Sequence, residues 1–78
     1  TESINIYAHA GKVNVISGSH DEITSVMIYD MSGKMLSSDN GLGTTKYEKS
    51  LGGAPNQVVI VKVMTTNGSK TETIILKQ

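Results

Sequence analysis

Apolar residues in this chain recur at every second position, and the i, i+3, i+4 spacing of an amphipathic helix is hard to find. Ile4 and Ile6 flank Asn5, while Val13 and Val15 alternate with Lys12 and Asn14. Within the run from Ile23 to Tyr29, Val26 and Ile28 share a face. Val58 to Val63 is the most apolar stretch and reads as a central strand, with Val59, Val61 and Val63 inward and Lys62 outward. Ile74 and Leu76 occupy one face of a closing strand from Lys70 to Gln78. Lys46 to Leu51 completes the set as a short polar strand. A period of two means that each strand buries one face. About seven such strands predict an all-β fold, an immunoglobulin-like antiparallel sandwich.

Turn signals separate these runs. Gly11 divides the first two strands, Ser17 to Asp21 forms a loop, and Asp39-Asn40-Gly41-Leu42-Gly43 reads as another loop. Gly52-Gly53-Ala54-Pro55-Asn56 is the longest breaker cluster and must be irregular. Asp30 and Gly33 occupy the first and fourth positions of a turn leading into a strand from Lys34 to Ser38. There an Asp side chain accepts from nearby backbone N–H groups and Gly tolerates positive φ. Asn67-Gly68 is a strong short hairpin signal and predicts a type I′ turn centred on those two residues.

A chain of 78 residues allows one small domain, which buries little more than half of its unfolded surface. With no cysteine, neither a disulfide nor a thiolate metal site supplements the core, and no thiol nucleophile exists. Seven basic residues, all lysine, balance seven acidic ones. The absence of arginine and of a basic field argues against nucleic-acid binding. No apolar run approaches the length of a membrane span. The beginning, Thr1-Glu2-Ser3-Ile4, carries no signal-peptide pattern.

Catalysis requires convergent groups, and the candidates here are sparse. His9 and His20 are the only imidazoles, both in predicted loops. His20-Asp21-Glu22 could suggest a metal or acid–base cluster, but a loop of consecutive residues has no preorganised ligand geometry, and a solvated loop is expected. Gly41-Leu42-Gly43 and Gly52-Gly53 lack the spacing and following helix of a phosphate-binding loop. Tyr7, Tyr29 and Tyr47 could form a sugar or peptide platform, although tyrosine is also an ordinary half-buried strand residue. Asn67-Gly68-Ser69 matches a glycosylation sequon that the hairpin turn already explains. Met27, Met31 and Met35 lie four residues apart inside a β pattern, so one or two are expected to fill core gaps, and no cofactor box is implied.

Two phrases carry a resemblance. Val26, Ile28, Tyr29, Asp30, Gly33 and Lys34 fit a Val-x-Ile-Tyr-Asp-x-x-Gly-Lys pattern, and Ile60-Val61-Lys62-Val63 fits a later Ile-Val-Lys-Val pattern. In this order and spacing they resemble the C-terminal sorting domain of proteins exported by the type IX secretion system of Bacteroidota. Gln57-Val58-Val59 stands where that family usually has Gly-Val-Tyr, and Ala8-His9-Ala10 replaces Pro-Asn-Pro after Tyr7. The closing strand carries its basic residue at Lys77, one place before Gln78.

The resemblance implies that residues 1–78 are a single sorting domain at the tail of a longer secreted precursor, with the cargo N-terminal to it. It further implies folding in the periplasm, recognition by the outer-membrane translocon, cleavage by a sortase-like peptidase, and a final location at the cell surface or outside the cell. Recognition would fall on Asp30, Gly33, Lys34, Ile74, Ile75, Leu76, Lys77 and Gln78. No cofactor, metal or catalytic residue is expected, and the domain would be the peptidase's substrate. The competing expectation is an immunoglobulin-like accessory module that binds carbohydrate or protein, or spaces domains in a surface enzyme or adhesin.

Overall fold

The computed structural model describes residues 4–18, 21–51 and 57–76. Seven strands follow one another: β1 (Asn5–His9), β2 (Lys12–Ile16), β3 (Ile23–Asp30), β4 (Met35–Thr44), β5 (Lys46–Ser50), β6 (Gln57–Thr65) and β7 (Gly68–Leu76). They form a three-stranded sheet A in the order β1-β2-β5 and a four-stranded sheet B in the order β4-β3-β6-β7, with every pairing antiparallel. This is the expected all-β sandwich of immunoglobulin-like type, with the fourth strand paired to the third rather than to the fifth.

The alternating residues meet between the sheets. Ile4 just before β1, and Ile6, Val13 and Val15 from the first sheet, pack with Ile23, Val26, Ile28, Val59, Val61, Val63 and Leu76 from the second. β-Branched side chains dominate, as suits strands whose inner face is fully covered. The sheets are also joined along their edges. Beside β1 and β7, Lys70 Nζ donates to the Ile4 carbonyl at 2.9 Å. Between β5 and β4, the Tyr47 hydroxyl donates to Asp39 Oδ2, and Lys49 Nζ lies 3.8 Å from the same oxygen.

Three local expectations require correction. Asp39 to Gly43 belongs to β4 rather than to a loop. The strand accommodates its glycines through a bulge, because Ile23 pairs with Thr44 and Ser25 already with Asn40. Gly41 and Gly43 both adopt positive φ there, which keeps the ladder continuous past the extra residues. The β6–β7 turn is centred on Thr66 and Asn67, with Thr65 paired to Gly68, and neither Asn67 nor Gly68 has positive φ. Positive φ at two consecutive turn residues occurs instead at Ala10 (53°) and Gly11 (76°), between paired His9 and Lys12. The methionines do not fill the core: Met31 and Met35 are exposed, and Met27 is half-buried on the outer face of sheet B. Its Sδ faces the Tyr29 hydroxyl at 3.5 Å.

Candidate functional site

The turn after β3 is built by one carboxylate. Asp30 Oδ1 accepts the Ser32 backbone N–H at 2.9 Å, the Ser32 hydroxyl at 2.6 Å and the Lys34 backbone N–H at 2.9 Å. The Gly33 N–H donates to the Asp30 carbonyl at 3.1 Å, and the Asp30 N–H donates to the Lys34 carbonyl at 2.9 Å. Gly33 closes the turn at φ 94°, a conformation that L side chains enter at a cost. The Ser32 hydroxyl first, then the Lys34 N–H, hold the Asp30 carboxyl below its ordinary pKa. The result is a rigid hairpin tip that displays Met31, Ser32 and Lys34 to solvent.

Pairing brings this tip to the end of sheet B that also carries the last residues of β7. Asp30 is opposite Val59, and Val59 is opposite Ile74. Two interstrand steps separate Asp30 from Ile74, about 10 Å. Leu76 is buried, Ile74 is half-buried against the core, and Ile75, opposite Val58, is 51% exposed on the outer face. β7 is the edge strand of sheet B and runs beside β1, to which Lys70 is bonded through the Ile4 carbonyl. Asp30, Gly33, Lys34, Ile74, Ile75 and Leu76 therefore share one end of sheet B, while Lys77 and Gln78 lie outside the described residues.

A second feature lies on the opposite side of the sandwich. The outer face of sheet A carries a depression of about 320 Å³ lined by Tyr7, Asn14, Ile16, Lys46, Tyr47 and Glu48. Tyr7, Asn14 and Glu48 form one cross-strand row, and Ile16 and Lys46 belong to the next.

No characterised protein matches the chain in sequence. A family model described as "Domain of unknown function (DUF8694)" matches residues 1–76. The chain belongs to that family. This DUF8694 domain contains, among the described residues, no group of three His, Asp or Glu side chains that could hold a metal ion. Nor, among those residues, is any helix long and apolar enough to cross a membrane.

In this DUF8694 domain Asp21 is not the solvated residue that the sequence suggests for the His20-Asp21-Glu22 segment. His9 ends β1 rather than lying in a loop, and His20 is outside the described residues. Asp21 is 2% exposed. Burial raises its pKa, but hydrogen bonds from Thr65, Asn67 and Thr66 outweigh burial and hold it below the ordinary value. Its carboxylate accepts the Thr66 hydroxyl and the Asn67 backbone N–H, each at 3.1 Å. The Ser17 hydroxyl donates to the Asp21 carbonyl, and the Thr66 N–H donates to the Glu22 carbonyl at 3.0 Å. Asp21 is thus a structural clasp between the β2–β3 crossing and the β6–β7 turn. An acidic residue in a Ser-Gly-rich loop gave no hint of a partner 45 positions away.

Proposed function

We propose that this domain is a sorting module, which directs an attached cargo through the type IX outer-membrane translocon and is then removed by a sortase-like peptidase. The observation that supports the reading is that the two resemblance phrases, far apart in sequence, pair side by side in β3 and β6, Val26 with Val63 and Tyr29 with Ile60, while the Asp30–Lys34 tip and the last residues of β7 share one end of sheet B. The rigid Asp30–Lys34 tip offers a cation and an exposed methionine, and β7 is an edge strand of sheet B with Ile75 outward. An edge strand accepts a partner through backbone hydrogen bonds, and neighbouring side chains supply the selectivity. The domain then acts as an address and a protease substrate, with no chemistry of its own, and the cargo's activity resides elsewhere in the precursor.

The test uses residues 1–78 fused behind a periplasmic reporter in a type IX-competent bacterium. Lys34→Glu and Ile75→Lys alter exposed side chains, so the isolated domain keeps its melting temperature, while surface delivery of the reporter falls several-fold. Undiminished delivery in both variants, with the fold intact, would overturn the assignment of this surface.

A further inference from the structure

The outer face of sheet A is a ladder with a defined chemistry. Its central row runs Tyr7, Asn14, Glu48 across three strands, and the adjacent row runs Asn5, Ile16, Lys46. Tyr7 is 43% exposed although its neighbour Ile6 is in the core, so its ring stands on the outer face. Ile16, half-buried at the centre of the second row, gives the depression an apolar contact. Asn14 Nδ2 donates to the Lys12 carbonyl at 3.1 Å, which fixes the amide plane and leaves it one acceptor and one further donor proton. Glu48 offers carboxylate oxygens, its charge balanced by Lys12 at 3.8 Å, and Lys46 offers an ammonium.

We infer that this depression is a binding site for a neutral pyranose unit of a glycan. A pyranose has one face of C–H groups, which packs on an aromatic ring, and a rim of hydroxyls that each donate and accept. Tyr7 supplies the ring, while Asn14, Glu48 and Lys46 supply acceptors and donors around it. The two lysines and one glutamate provide no strong single-sign field for a multiply charged ligand. A volume of about 320 Å³ is at the lower end for small-molecule sites and suits one or two sugar rings. The three tyrosines do not act together, because Tyr29 belongs to sheet B. The site is on the opposite side of the sandwich from the Asp30–Lys34 tip and does not depend on the sorting reading.

The test is a chemical-shift titration of the 78-residue domain with the methyl glycosides of glucose, galactose, mannose and N-acetylglucosamine. At least one glycoside produces saturable shifts with a dissociation constant on the order of 1 mM, centred on the amides of Tyr7, Asn14, Ile16 and Glu48. Tyr7→Ala weakens that binding about tenfold. Glu48→Gln, at an exposed position, weakens it about fivefold with melting unchanged, and serves if the Tyr7 variant does not fold. Lys62→Ala on sheet B leaves it unaltered. Failure of all four glycosides to saturate, shifts centred on sheet B, or full affinity in folded Tyr7→Ala or Glu48→Gln would overturn the inference.

Discussion

The carboxylate of Asp21 accepts the backbone N–H of Asn67 at 3.1 Å across 46 positions of sequence. This bond and its neighbour from Thr66 hold the β6–β7 turn against the crossing from sheet A to sheet B. They accompany a turn centred on Thr66-Asn67, one residue earlier than the Asn-Gly signal indicates.

Asp21 and Asp30 give the domain an acid limb. Both carboxyls have lowered pKa values in the folded state. The unfolded chain, with aspartate near pH 3.9, therefore binds more protons as acid is added. Their stabilisation is fully present above that pH and is lost as pH falls through the lower folded values. Melting temperatures measured from pH 6 to pH 2 should decline through that window, and Asp21→Asn should flatten the decline. At pH 7 the same variant should melt more than about 5 °C below the parent, since its amide cannot reproduce the charged acceptor.

Gly33 and Gly68 should respond differently to the same substitution. Neither has an atom within 4 Å of an added Cβ, but only Gly33 sits at positive φ. Gly33→Ala is expected to cost about 1–2 kcal/mol and Gly33→Val more, from backbone strain alone. Gly68→Ala should be nearly neutral. Denaturant unfolding of the variants checks the contrast.

Ala10 is the one non-glycine residue at positive φ among the described residues. Ala10→Asn should stabilise by a few tenths to about 1 kcal/mol, because asparagine accepts this conformation more readily in a two-residue hairpin. A lower unfolding midpoint in urea would contradict the turn geometry.

Ile28 is fully buried between Ser37 and Val61. Ile28→Val should cost about 0.5–1.5 kcal/mol and Ile28→Ala about 2–5 kcal/mol, a large share of the stability of so small a domain. Equilibrium unfolding gives both values directly.

The legible parts of this fold are those that local rules decide. Val59, Val61 and Val63 announce a buried face by alternation, and Asp30 with Gly33 announces a turn through side-chain acceptance and positive φ. The β6–β7 register was not legible for a specific reason. Moving a two-residue turn by one position changes the pairing by two residues, so every side chain keeps its face. Apolar alternation cannot distinguish the two registers. The Asp39-Asn40-Gly41-Leu42-Gly43 stretch reads as a loop because a bulged strand uses the same residues as a turn. The bonds of Asp21 were hidden because they join a loop to a turn about 45 positions away, and the Tyr47–Asp39 bond because it joins strands of different sheets.

The proposed role as an address to the type IX translocon is decided by the surface fraction of a reporter fused ahead of residues 1–78. The measurement compares a strain with an intact translocon and an otherwise identical strain lacking it. Most of the reporter should be at the surface or in the medium of the first strain and should remain in the periplasm of the second. Equal periplasmic retention in both strains, with the domain folded, would contradict it.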